Sequence, residues 1–162
     1  MKAIGNKERA KGFTIIEVVL VLAIAGLIFL MVFIALPALQ RSQRDSQRRN
    51  DVGTFISQLT QYSTNNNGGL PASGSVDDFA TSYLKWKNDD TGEFKDPKTG
   101  KGYTLVGGVE QPDQGEMVYG GRNTTCDGEM VKTLGATETN NRQAAVAVAL
   151  EGGGAFCQTI QQ

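Results

Sequence analysis

The chain has 162 residues, a formal net charge of −1 and no histidine, so the commonest general base and metal ligand is missing. Its length holds one modest domain plus extra segments, and the near-neutral charge gives no electrostatic footprint for nucleic acid. The two cysteines, Cys126 and Cys157, stand late among glycines and polar residues, which fits one disulfide in an oxidising compartment; two buried free thiols are the alternative.

Residues 1–12 are polar and basic, with Lys2, Lys7, Arg9 and Lys11 against Glu8 alone. An apolar run fills residues 13–39 and carries no charge over residues 18–39. Those 22 residues span about 33 Å as a helix, which matches a hydrocarbon core of about 30 Å. A removable secretory signal has a shorter apolar core that ends in a small-x-small site. Here Ala23-Ile24-Ala25 lies in mid-run and Leu36-Pro37-Ala38 is a poor substitute, so the segment is expected to stay with the mature protein. Glu17 interrupts the run four residues after Phe13. A carboxylate inside a membrane helix costs about 2.5–3.5 kcal/mol, less near the boundary. Either Glu17 reaches back to interfacial water, or it awaits a positive partner from another molecule.

The block Gly12-Phe13-Thr14-Ile15-Ile16-Glu17, after a basic leader and directly before a membrane-length run, resembles the type III signal of type IV prepilins. The resemblance implies an α+β type IV pilin fold: a long N-terminal helix, half transmembrane and half packed on a head with a small antiparallel sheet. It implies cleavage after Gly12 by a membrane prepilin peptidase that also methylates the new terminus at Phe13. It implies too that Glu17 pairs with the Phe13 ammonium of a neighbouring subunit. In a packed apolar bundle that pair neutralises two charges that are each costly alone. The implied partners are further copies of the chain, the peptidase, an inner-membrane assembly platform with a separate ATPase, and membrane lipid before assembly; no cofactor is implied. The implied location is a single-pass cell-membrane precursor with a cytoplasmic N-terminus, then a surface filament. Charge does not decide the orientation, because Arg41, Arg44, Arg48 and Arg49 beyond the span balance the four basic leader residues.

Residues 40–51 contain no apolar side chain, and Val52, Phe55, Ile56, Leu59 and Tyr62 then recur at helical spacing. One helix is expected over residues 13–64, roughly 78 Å if straight, its last third packing under the head. Pro37 removes a helical hydrogen bond and Gly26 is a second weak point; in the family such a pair brackets a stretch that can unwind in the filament. The arginines could touch lipid phosphates or DNA, although such a run is more often a solvated helix face. The organisation expected is a leader at residues 1–12, a membrane or filament-core helix at 13–39, its continuation at 40–64 and a head at 65–162.

Residues 65–71 read as a loop. Ser75 with Asp77 and Asp78 reads as a helix start, running to Trp86 and burying Phe79, Tyr83 and Leu84. Asp96-Pro97 with Gly100 and Tyr103 loosely resembles the Asp-Pro-x-Gly-x-x-Tyr loop of pilins and pseudopilins, one residue wider. Asp89, Asp90, Glu93 and Asp96 could hold calcium but lack the spacing of an EF-hand loop; solvating a turn is the simpler role. Strands are expected over residues 103–109, 116–120, 144–150 and 155–160, with Gly152-Gly153-Gly154 turning the last hairpin. A Cys126–Cys157 bridge would close a loop of about thirty residues and contribute about 3–4 kcal/mol in the chain-entropy model.

No nucleophile elbow, phosphate-binding loop, dinucleotide fingerprint or metal-spaced cysteine pair occurs, which argues against an enzyme. The function expected from the resemblance is a major-type pilin. The rivals are a type II secretion pseudopilin, a minor pilin, a secreted protein with a removed signal, and a single-pass anchored binding protein that never polymerises.

Overall fold

The computed structural model describes residues 12–87, 90–135 and 141–161. Leader residues 1–11, and Asp89 among the acids considered for calcium, lie outside them. One helix, α1, occupies Ile15–Asn65 and remains α-helical through both Gly26 and Pro37. The chain divides into two units between Leu39 and Gln40. In the first unit every described side chain except that of Ala25 is exposed. This helix is long and apolar enough to cross a membrane and buries none of its most apolar stretch. Outside residues 13–39 the large exposed apolar side chains of the described residues are Val109 and Met130.

In the second unit α1 continues from Gln40 and ends where Gly68 N donates to Ser63 O (2.8 Å), with Asn67 at φ 56° and Gly68 at φ 83°. Asparagine and glycine tolerate that left-handed closure. A 3₁₀ turn, Ser73–Ser75, leads into α2 (Val76–Tyr83). Ser75 stands at the N-cap position without a side-chain capping bond; its backbone N closes the preceding turn onto Ala72 O instead. The helix stops three residues short of Trp86 because Lys85 turns to φ 53°.

The strands are β1 (Thr104–Gly107), β2 (Glu116–Tyr119), β3 (Thr124–Asp127), β4 (Met130–Thr133), β5 (Gln143–Ala149) and β6 (Ala155–Gln161). Four of them form a sheet in the order β1-β2-β5-β6, and β3 pairs with β4. The expected antiparallel sheet is found in β2–β5 and β5–β6 but not in β1–β2, which run parallel with Thr104 beside Glu116. The connection over residues 108–115 carries the chain back to the start of β1. There Gly115, at φ 86°, accepts from Thr104 N and feeds β2. Parallel crossovers usually need a dozen residues; this shorter one suffices because each strand is four residues long. The β3–β4 hairpin, absent from the sequence expectation, turns at Gly128 (φ 64°), where a tight hairpin favours glycine.

Alternation along the strands sorts two cores. On one face Met117, Tyr119, Ala144, Val146, Val148 and Ile160 pack with Val52, Phe55 and Leu59 of α1 and with Phe79, Trp86 and Tyr103. On the other, Val118, Ala145 and Ala147 meet Val131. The small alanines let the hairpin approach closely: a methyl added at neighbouring Gly120 would stand 2.5 Å from Val131 Cγ1. Cys126 of β3 is bonded to Cys157 of β6, fastening the hairpin to that face.

Candidate functional site

Gly12, Phe13 and Thr14 precede the helix in irregular backbone, and Phe13 is 84% exposed. Among the described residues no atom lies within 4 Å of a methyl added at Gly12, so their packing does not demand glycine there. Thr14 O accepts from Glu17 N and Val18 N, which starts the first turn. Phe13 and Glu17, with Val18, Val21 and Leu22, line one shallow groove at the foot of the helix. A carboxylate in the first turn is favoured by the helix dipole, so Glu17 has a local reason to be tolerated. Among the described residues no cation pairs with it.

Most of the polar stretch after Leu39 is solvated, but one stripe of it, Arg44, Asp45, Arg48 and Asp51, is buried or half-buried. Arg48 is buried and its Nε donates to the equally buried Asp96 (2.7 Å), while its Nη1 reaches Asp45 at 3.4 Å. Arg44 makes a fork to Glu151, 2.7 and 2.9 Å. Asp45 accepts from the backbone N of Glu151 (2.6 Å) and Gly152 (3.0 Å), so it holds the β5–β6 turn. Tyr103 Oη donates to Asp51 at 2.6 Å. Arg49 lies 5.0 Å over the Phe156 ring, and Arg41 remains exposed. Within the second unit this cluster ties α1 to residues 96–103 and to the last hairpin. The hydrogen bond from Arg44 holds the Glu151 carboxyl below the usual carboxylate range. Burial pushes Asp51 up, against the opposing hydrogen bond from Tyr103. Burial, then the Asp51 hydrogen bond, push the Tyr103 phenol far up. One buried atom, Arg48 Nη2, has no hydrogen-bond partner among the described residues.

The described acids weighed for calcium are drawn apart. Asp96 faces Arg48 and accepts from Thr99 N, Glu93 pairs with Lys85 on the surface, and Asp90 accepts from Gly102 N. Among the described residues no three acids, cysteines or histidines group as metal ligands. Gly26 and Pro37 stand on the uninterrupted apolar helix. Cys126 and Cys157 are the bridged pair that the sequence left open. No family model, curated protein or solved structure matches this chain.

Of the ionic cluster, the sequence reading missed Arg44, Asp45, Arg48, Asp51 and Glu151 as a unit. A signal was there: Arg44, Arg48 and Asp51 are spaced four and three apart, on the stripe that Val52, Phe55 and Leu59 continue.

Proposed function

We propose that this chain is the repeating subunit of a surface filament of the type IV pilus kind, freed of its leader after Gly12 and polymerised through residues 13–39. The observation that carries the reading is the Gly12-to-Glu17 block at the foot of a helix whose most apolar stretch is wholly unburied. Such a surface is unstable in water and needs lipid or other apolar helices around it. A membrane supplies that cover before assembly, and neighbouring copies supply it afterwards. The exposed, irregular backbone at Gly12 and Phe13 suits entry to a peptidase site. Glu17 then finds its counter-ion in the Phe13 ammonium of the next subunit. That pairing fixes the stagger, since any other register leaves two charges unpaired in an apolar core. The head fits the pilin layout in its packing of a helix against a small sheet with a late disulfide.

Mass spectrometry of sheared surface material tests this directly. A mature terminus at N-methylated Phe13 is expected there; the same terminus confined to membranes transfers the reading to a secretion pseudopilin, and an intact Met1 or a start after Ala38 overturns it. Glu17→Ala is expected to preserve cleavage and insertion while abolishing filaments in cells without wild-type subunits. Normal filament yield from that variant removes the pairing role.

A further inference from the structure

The two edges of the four-stranded sheet differ. β1 is short and covered: a methyl at Gly107 would collide with Ser73 of the 3₁₀ turn. β6 is seven residues long, pairs with β5 without a bulge from Gln143↔Gln161 to Ala149↔Ala155, and contains no charge, proline or glycine. It carries no charge, proline or bulge of the kind that keeps an edge strand from pairing with another chain, and the β3–β4 hairpin meets it through the side chains of Cys157 and Thr159.

Its hydrogen-bond phase follows from the turn. Leu150 N donates to Gly154 O, and antiparallel pairs alternate from there. Phe156, Gln158 and Ile160 therefore turn their backbone groups to β5, while Ala155, Cys157, Thr159 and Gln161 turn theirs away. Ala145 O, which accepts from Gly120 N on the opposite side of β5, stands in the phase this requires. Among the described residues, none of the outward backbone groups of β6 has a partner.

We propose that β6 is an interface for a second copy of this chain, the two β6 strands running antiparallel about a two-fold axis at Gln158. That register sets Ala155 against Gln161 and Cys157 against Thr159, so every outward N–H and C=O meets its complement. It also sets Phe156 of each copy beside Ile160 of the other, an aromatic and β-branched cross-strand pair. The Gln158 side chains, exposed in the single chain, meet at the axis. A slip of two residues towards the turn would place Gln161 against Gly153, outside the strand. The occupant is a copy of the chain because the strand is complementary to itself, as a two-fold contact requires, and because it carries no charge to repel its like. The contact does not depend on filament assembly.

A charge swap at Gln158 tests the register. Gln158→Lys and Gln158→Glu each place two like charges at the axis, whereas an equimolar mixture places opposite ones there. Full-length chain in dilute detergent micelles is measured by analytical ultracentrifugation, with buried Trp86 emission reporting an intact head. The wild type is expected to dimerise, each variant alone to bind itself at least tenfold more weakly, and the mixture to recover wild-type affinity. A monomeric wild type overturns the proposal. So does equal association of all three, which would assign the contact to residues 13–39, and so does a mixture that fails to recover.

Discussion

Arg48 is where a single side chain decides most. It is buried, and its charge is balanced by Asp96 at 2.7 Å and more loosely by Asp45. Removing one member of such a pair leaves the other charged and dry, which typically costs 3–5 kcal/mol. Arg48→Met is therefore expected to destabilise the head by about 3–5 kcal/mol, read as a lowered urea midpoint of Trp86 emission. Arg48→Met combined with Asp96→Leu should recover most of that loss, because the fully buried carboxylate is removed with its guanidinium. Glu151 gives a pH signature. Its carboxyl is lowered in the folded chain by Arg44, so its stabilisation is present above the unfolded-state value and is lost as pH falls through the carboxylate range. Asp51, raised by burial, has the opposite sign: its contribution is present at low pH and is lost as pH rises through its folded value. Glu151→Gln should thus lower stability at neutral pH and converge with the wild type in acid, as followed by urea titrations at stepped pH.

At the scale of elements, β5 shows how composition sets layering. Its valines, with Ala144, face α1, and Ala145 and Ala147 face the hairpin, so the two faces should differ in what they tolerate. Ala147→Leu is expected to wedge the β3–β4 hairpin outward and cost about 1–3 kcal/mol by overpacking. Val146→Ala on the other face leaves a cavity and costs about 2 kcal/mol. Denaturant midpoints for both variants check the pair. The long helix, the last hairpin and the stripe of Val52, Phe55 and Leu59 were legible because periodicity and glycine turns are local signals. The parallel β1–β2 pairing was not, since the glycines and acids of residues 108–115 specify a change of direction without specifying where the chain returns. The β3–β4 hairpin was obscured because Thr124 to Thr133 mixes exposed and half-buried positions, with only Val131 buried in β4. The arginine cluster hid for another reason: its partners Asp96 and Glu151 lie 48 and 107 residues from Arg48 and Arg44, and no local pattern encodes them. The Gly12-to-Glu17 block was legible as a motif because its spacing is contiguous.

For the whole molecule, a covalent link adds to the packed core of the second unit. The disulfide spans 31 positions, and its loss through Cys126→Ala with Cys157→Ala is expected to cost about 3–4 kcal/mol. Reductant should shift the wild-type denaturation curve by a similar amount and leave the double variant unmoved. The order of attachments along α1 within the second unit has a mechanical consequence. A pull on the helix at Gln40 first meets those of Arg44, Asp45 and Arg48, before the apolar stripe that begins at Val52. Those attachments grip segments distant in sequence, the loop at Asp96 and the turn at Glu151, so they share a load side by side instead of yielding one after another. The ion cluster then acts as a strain relief, keeping tension on the helix from prying open the packed sheet behind it.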